Sequence, residues 1–344
     1  MELLSQLMDR LQRHPKRIVF PEGDDIRVIQ AARQFQSLRL GAPILLGKRE
    51  KIERIASGAR ISLEGIRIID PQHSEDLERL ARAYRMLVAS HGMKLVECKH
   101  AMLNPNYFGA MMVALHQADG FVSGATSPTS VVLRPLTQIV RLAPGIRIPV
   151  GCAVAELEDR SVGARGVLFL ADCAVSVDPS MDDLADIAVA TAKFAHHICG
   201  IRPKVAFISH ATRTRTSPPG LGKVSAAVDL AIRKAEELSI EADFDGEMQI
   251  DTALVPEVAL RKLPRSKVAG QANVLVFPDL HSANIAVKLI MHLVHSRVYA
   301  ALLLGLNRPA ASVSRGSTST AIFNMAVLVG AQAINYHELY PGAI

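Results

Sequence analysis

The chain has 344 residues, 49% of them apolar, enough for one large α/β domain or two with packed cores, and no uninterrupted apolar run is long enough to span a bilayer. Its four cysteines, Cys98, Cys152, Cys173 and Cys199, stand far apart with no C-x-x-C pair, which excludes a disulfide scaffold and a zinc cluster. A formal charge of +6 spread over interspersed acids and bases, with no Trp, argues against a nucleic-acid stripe and suits a small polyanionic ligand.

The opening MELLSQLMDRLQRHPKR sets Leu3, Leu4, Leu7, Met8 and Leu11 on one helical face, with Glu2 and Asp9 in the stretch and no small-residue cleavage site. It predicts a packed amphipathic helix ending before Pro15 and no signal peptide, so a cytoplasmic protein is expected. From there one unit recurs: an apolar strand, a polar turn, an amphipathic helix. KRIVFPEGDDIRVIQAARQF gives a strand at Arg17–Phe20 and a helix opening near Asp24–Asp25. DGFVSGATSPTSVVLRPLTQIV repeats the pattern through a Gly/Ser/Thr turn.

Farther on, PSMDDLADIAVATAKFAHHICG carries a capping box, Ser180 with Asp183, and a stop at Gly200. Leu184, Ile187, Ala188, Phe194, Ala195 and Ile198 share one face, with Thr191 packing there if its hydroxyl bonds back to the preceding turn. PKVAFISHATRTRTSP runs from a strand at Lys204–Ser209 into a loop of hydroxyls and arginines. ANVLVFPDLHSANIAVKLIMHL runs from a strand into a helix, with Ser282 as the expected N-cap. Such alternation is the signature of mainly parallel α/β sheets covered on both faces. In these sheets, ligands sit beyond the carboxyl ends of the strands, so the four polar loops together predict a shared polar site.

Nucleotide and metal motifs fail. GLGKVS at Gly220–Ser225 lacks the earlier glycine of a phosphate loop and has Val224 where a magnesium-binding hydroxyl belongs. His196 and His197 are helix neighbours that diverge by about 100°, which does not suit a metal pair. Two arginines stand out instead. Arg134 precedes Pro135, a residue favoured in a first helical turn, and Arg315 lies just before a helix expected over Ala321–Ala333. A cation at a helix N-terminus opposes the dipole, and a bound anion among arginine, hydroxyls and amides would relieve both positions. SVSRGSTSTAIFN, from Ser312 to Asn324, is the clearest such seat.

The stretches RIVFPEGDDIRV, NPNYFGAMMVALHQADGFVSGATSPTSVVLRPLTQIV, LFLADCAVSVDPSMDDLADIA, FDGEMQIDTALVPEVA, VAGQANVLVFPDLHSANI and GLNRPAASVSRGSTSTAIFN occur together and in order. In these the chain resembles the phosphate acetyltransferase (phosphotransacetylase) family, within the phosphate acetyl/butyryltransferases. The resemblance implies two α/β/α domains with mainly parallel sheets and an interdomain cleft, of the isocitrate/isopropylmalate dehydrogenase type. Residues 1–146 plus 302–344 would form domain I, carrying the acyl phosphate side and the Ser-Arg loop. Residues 147–301 would be an inserted α/β domain that completes the cleft, and the fold would use the whole chain without a fused catalytic domain. The implied reaction is reversible acetyl transfer between coenzyme A and phosphate, by a homodimer, with no metal and no bound cofactor. Acetyl-CoA, coenzyme A, phosphate and acetyl phosphate are the substrates, and no membrane or nucleic-acid partner is implied.

By the same resemblance Ser314 and Arg315 sit at the reacting centre. The arginine binds phosphate and polarises the acyl carbonyl, and the serine assists the thiol. Ser123, Gly124, Thr129, Arg134 and Gly316 are implied as substrate contacts. Several positions depart from the family pattern N-D-L-S-R-G-C-S-x-x-D. Ala311 and Ser312 replace the N-D pair, Ser317 replaces the cysteine, and Ala321 replaces the final Asp, the family's proposed base. Val88 stands where a coenzyme-binding arginine is usual, and Thr212, Arg213, Thr214 and Arg215 alter the S-T-K-G-S loop. His210 and His281, at strand-to-helix junctions, are candidate substitute bases. Three readings stay open: a slow phosphate acetyltransferase, an acetyl-CoA-binding regulatory relative, and a transferase for another short acyl group such as butyryl. Retained Ser314 and Arg315 favour the first; Ala321 and Val88 favour the second.

Overall fold

The computed structural model describes residues 2–89, 92–212, 222–294 and 296–340. In chain order it opens with α1 (Glu2–Arg13), β1 (Lys16–Phe20), α2 (Ile26–Ser37), β2 (Gly41–Leu46), α3 (Arg49–Gly58) and β3 (Arg67–Ile69). Then come α4 (Leu77–Leu87), α5 (Leu95–Met102), α6 (Pro105–Ala114), β4 (Gly120–Ser123) and α7 (Thr129–Pro135), which continues into a π-helical turn at Leu136–Val140. β5 (Val150–Leu157), β6 (Val167–Ala171), α8 (Met181–Cys199), β7 (Lys204–Ile208), α9 (Lys223–Glu237) and β8 (Asp243–Met248) follow. α10 (Ile250–Leu254), α11 (Pro256–Lys262), β9 (Val274–Val276), α12 (Leu280–Leu293) and β10 (Ser296–Leu304) lead to β11 (Ala310–Ser312), α13 (Ser319–Gln332) and α14 (Tyr336–Leu339).

The chain divides into two compact units, one of residues 2–144 with 306–344 and the other of residues 145–305. In the first, parallel strands run in the order β3-β2-β1-β4-β11. α1 shows why its sequence folds as it does: Leu3, Leu4, Leu7 and Leu11 are buried, and the chain turns after Arg13, before Pro15. Leu11 lies against Gly330 of α13, where an added Cβ would come within 3.0 Å of it. Asp25 is the N-cap of α2, its carboxylate accepting from the Arg27 amide at 2.8 Å.

In the second unit the order is β10-β5-β6-β9-β7-β8, with β5 antiparallel to both neighbours and the remaining pairs parallel. Both units are thus α/β with mainly parallel pairing. α8 begins and ends as its residues dictate. Ser180 and Asp183 close the capping box, Gly200 takes the left-handed conformation at φ 64°, and the buried Thr191 hydroxyl donates to Ile187 O at 2.7 Å. The helix is buried on more than the expected face, because α9 packs over its outer side and Phe194 meets Phe169 edge-on at 5.8 Å. Asp186, only 3% exposed at its side chain, is held by Arg147 at 2.7 Å and by Lys234. The N-cap of α12 is Asp279 and not Ser282: the Asp279 carboxylate accepts from the Ser282 amide at 2.8 Å, so the helix starts earlier than the serine suggests.

Candidate active site

β4 and β11 are parallel neighbours with Ser123 opposite Ser312, so their carboxyl ends deliver two loops to one place. The first, residues 124–128, leads into α7; the second, residues 313–318, leads into α13. The Val313 amide donates to Ser123 O at 2.8 Å. Gly124, at φ +111°, lets the loops approach: a Cβ there would lie 2.3 Å from Val313 O. Ser314, Arg315 and Gly316 are exposed at the apex of the second loop. The loop is a compact turn in which Ser317 N donates to Ser314 O at 2.9 Å, Ser314 N to Ser317 Oγ at 3.1 Å, and Gly316 N to Ser314 Oγ at 3.2 Å. Ser317 thus fastens the turn with its hydroxyl.

Arg315 has no carboxylate partner among the described residues, and its guanidinium is open to solvent. Ser123 is nearly inaccessible at 2% exposure, its hydroxyl donating at 2.7 Å to Asn106 Oδ1, itself positioned at the start of α6. Thr129 is half-buried as the first residue of α7. The Ser312 hydroxyl, 4% exposed, has no hydrogen-bond partner among the described residues.

Arg134 is not at a helix N-terminus. It lies in the last turn of α7, away from the helix N-terminus, so the dipole repulsion expected from its place before Pro135 is absent. Pro135 does not open the helix; α7 starts at Thr129, directly after Pro128. The chain passes Pro135 by widening to i→i+5 bonding, with Arg141 N donating to Leu136 O at 2.9 Å and Thr137 Oγ1 to Leu133 O at 3.1 Å. The Arg134 side chain is exposed beside Tyr84. Burial, and after it Tyr107, push the Tyr84 phenol up against the pull of this arginine.

Two charged residues that the sequence reading did not single out hold these loops. Glu22, 7% exposed just after β1, accepts from the amides of Gly124 (2.8 Å), Ala125 (2.6 Å), Thr126 (3.0 Å) and Ser127 (2.8 Å) and from the Thr126 hydroxyl (2.8 Å). Such a run of amides is an anion nest, and here a side chain fills it. Arg27, on α2, reaches Arg315 O at 2.7 Å, Ser317 O at 2.9 Å and Ala125 O at 2.8 Å while pairing with both oxygens of Asp25. Burial pushes the Asp25 carboxyl up, but the hydrogen bonds from the Arg27 side chain and amide, the Arg27 charge and the Val28 amide together outweigh it and hold the group below its usual range. Both residues lie in RIVFPEGDDIRV, and the signal available was an acid and a base crowded after a buried strand.

His210 and His281 are exposed and belong to the other unit, after β7 and at the start of α12. Of the four polar loops, those after β1 and β4 lie in one unit and those after β7 and β9 in the other. Of the altered loop, Thr212 Oγ1 accepts from Gln249 N at 3.0 Å; Arg213, Thr214 and Arg215 lie outside the described residues, as do Gly220 and Leu221 of GLGKVS. Val88, at the carboxyl end of α4, is a buried apolar residue at 5% exposure. Ala321 is the third residue of α13, its amide donating to Thr318 Oγ1 at 3.2 Å.

Comparison with known proteins places the chain. The profile of the phosphate acetyl/butaryl transferase family matches residues 2–330. A phosphate acetyltransferase of Acetivibrio thermocellus is 37% identical over 333 residues, 97% of this chain and 98% of that protein. The solved structure of the EutD phosphotransacetylase from Staphylococcus aureus superposes with a TM-score of 0.88 at 36% identity, covering 97% of this chain and 98% of that one. A phosphotransacetylase from Streptococcus pyogenes does so with a TM-score of 0.87 at 36% identity, covering 96% and 98%. The chain belongs to the phosphate acetyl/butaryl transferase family.

Proposed function

We propose that this chain is a phosphate acetyltransferase that moves an acetyl group reversibly between coenzyme A and phosphate, slowly, because Ala321 stands where the family has its base. Its substrates are acetyl-CoA and phosphate in one direction, acetyl phosphate and coenzyme A in the other, with no resident cofactor. The observation that carries the reading is the exposed Arg315 guanidinium beside Ser314, without a partner among the described residues, on a loop fastened from below, in a chain of this family. Arg315 and Gly316 face the phosphoryl oxygens, with Gly124, Thr129 and Arg134 as further contacts. Ser123 acts at one remove, through the backbone it fixes.

In the acetyl phosphate direction the coenzyme's thiolate sulfur attacks the carbonyl carbon. A C–S bond forms, the carbonyl electrons move onto oxygen beside Arg315, and the C–O bond to phosphorus then breaks as the oxyanion collapses. Phosphate leaves with that electron pair onto the same guanidinium. Donors aimed at such developing charge commonly supply a few kcal/mol of transition-state stabilisation. Without an acid at position 321 the thiol loses its proton to solvent, with His210 or His281 as the proposed alternatives. A thiol of pKa about 8.5 is a few per cent ionised at neutral pH. A missing general base costs roughly 10²–10⁴-fold, so slow turnover follows, not silence.

The protein is proposed to work in the cytoplasm as a homodimer. No helix among the described residues is long and apolar enough to cross a membrane. An exposed apolar stripe on α12, Ile285, Leu289 and Leu293, is suited to a second copy. In domain terms, residues 1–146 with 302–344 are proposed to carry the Ser-Arg loop, and 147–301 to form an inserted α/β domain. Ala321 favours one second reading, an acetyl-CoA-binding regulatory relative. One assay decides between them: purified protein with coenzyme A and acetyl, propionyl or butyryl phosphate. Acetyl-CoA formation is expected. The butyryl product forming faster would reassign the acyl group. No thioester from any donor, with acetyl-CoA still raising the melting temperature, would replace the enzyme by the regulatory reading.

A further inference from the structure

Arg27 has five N–H donors on its guanidinium, and the structure uses all of them. Nε donates to Asp25 Oδ1 (3.0 Å) and Nη2 to Asp25 Oδ2 (2.7 Å) and Ala125 O (2.8 Å). Nη1 donates to Arg315 O (2.7 Å) and Ser317 O (2.9 Å). A guanidinium so occupied has no donor left for a substrate. Its charge is met by Asp25, and its Asp25 contacts hold the fork in one orientation.

What this half-buried side chain grips is more telling than its burial. In a trans peptide the C=O and the following N–H point in opposite directions. Drawing the carbonyls of Arg315 and Ser317 inward onto Arg27 therefore turns the Gly316 and Thr318 amides outward, on either side of Ser317. The Thr318 amide makes no hydrogen bond among the described residues, and the Gly316 amide makes only a 3.2 Å bond to Ser314 Oγ. The other loop is gripped on both edges of one peptide: Ala125 O accepts from Arg27, and Thr126 N donates to Glu22 at 3.0 Å. One guanidinium thus ties together the two loops that flank the Ser314–Arg315 apex, and it does so through backbone atoms alone.

We infer that Arg27, oriented by Asp25, is the positioning residue of the phosphate seat, fixing the peptides at 315–318 and 125–126 so that the Ser314–Arg315 apex meets the anion in one arrangement. The inference rests on the proposed phosphate acetyltransferase reading in taking that apex as the seat. It differs in what it demands, since it assigns a function to a residue that touches no substrate. A lysine at this position keeps the charge but offers one rotating ammonium, unable to hold three carbonyls and a carboxylate in a plane.

The test uses the full chain with Arg27→Lys and Asp25→Asn, each titrated with inorganic phosphate by calorimetry and melted by circular dichroism, with KM for phosphate and for coenzyme A measured separately. R27K is expected to weaken phosphate binding and raise KM for phosphate by about tenfold or more, as misplaced groups in a preorganised site do, while KM for coenzyme A stays within about twofold. D25N is expected to show a smaller loss of the same kind, and it stands in if R27K does not fold. Parental phosphate affinity in the folded variants would overturn the inference. So would an equal loss of phosphate and coenzyme affinity together with a collapsed melting temperature, the mark of a merely structural residue. A parental chain that binds phosphate but transfers no acetyl group would overturn the proposed function and leave the positioning claim to the titration. A parental chain that binds no phosphate would overturn both.

Discussion

Arg315 meets the protein by its backbone and the solvent by its side chain. Its carbonyl is bound to Arg27 at 2.7 Å, while the guanidinium has no partner among the described residues. Substitution of the side chain therefore leaves the loop's fastening in place. Arg315→Ala is expected to lower phosphate- or arsenate-dependent loss of acetyl-CoA by about 10²–10³-fold, the scale of removing one donor to a developing oxyanion. Its melting temperature should stay close to the parental value, because no hydrogen bond of the folded state is removed. Parental activity in that variant would sink the assignment of the apex as the reacting centre. Gly124 is the reverse case, a residue without a side chain that matters by its absence. A methyl group there would collide with Val313 O, and the two loops could not lie together.

Two helices of this chain begin in nearly the same way and differ in one atom group. At α8 the box is closed: Asp183 N donates to Ser180 Oγ at 3.2 Å, and Ser180 N to Asp183 Oδ2 at 3.0 Å. At α13 the first half is present, Ala321 N donating to Thr318 Oγ1 at 3.2 Å, but Ala321 has no carboxylate to return the bond to Thr318 N. Ala321, proposed above as the position left without a base, is also the third residue of an open capping box. Ala321→Asp should then do two things. Closing the box should stabilise the chain by about 0.5–1 kcal/mol and raise the melting temperature by roughly 1–3 °C. If a carboxylate there takes the thiol proton, kcat should rise by about tenfold or more. Ala321→Asn separates the two, since an amide can close the box but cannot act as the base. A rise in melting temperature with flat kcat in the aspartate variant would count against the missing-base account. The contrast also shows what the sequence could tell. α8 was legible because its cap, its apolar period and its glycine stop lie within one short stretch. The start of α12 was misjudged by a few residues because Asp279 and Ser282 are both good caps, and only the backbone decides between them. Arg134 was misplaced because a π-helical turn, which has no local signature, carries the chain past Pro135. Glu22 and Arg27 were not legible as a pair of clamps at all: Glu22 takes the Gly124 amide 102 positions away, and Arg27 takes the Arg315 carbonyl 288 positions away.

At the scale of the molecule, ties of this long-range kind join each unit across its sheet, and many of them use a carboxylate. Arg17, in β1, binds Asp119, just before β4, through its amide at 2.7 Å and through its guanidinium at 2.8 Å and 3.1 Å. Burial pushes the Asp119 carboxyl up, but its hydrogen bonds with Arg17 and the charges of Arg17 and Lys16 together outweigh burial and hold it below the usual range. Arg79 does the same for Asp76, and Arg202 at the foot of β7 for Asp243 at the start of β8. A carboxyl whose folded pKa is depressed binds its proton more weakly in the folded chain than in the unfolded one. Its contribution is complete above the unfolded value, near pH 4, and is lost as the pH falls through the lower folded value. Asp172 opposes them: burial raises its carboxyl in spite of the amides of Ala174, Ser176, Val175 and Gly151, so acid relieves a cost there. Depressed groups lie in both units, Asp25, Asp76 and Asp119 in that of residues 2–144 with 306–344, and Asp183, Asp243 and Asp279 in the other. Urea unfolding should therefore show a midpoint that is flat from about pH 8 to 5 and falls below about pH 4. Asp119→Asn should lower the midpoint at pH 7 and flatten the fall toward pH 3, because the charge that acid would remove is already gone. A midpoint that rises on acidification, or an Asp119→Asn chain that falls as steeply as the parent, would show that these pairs do not set the acid limit of the fold.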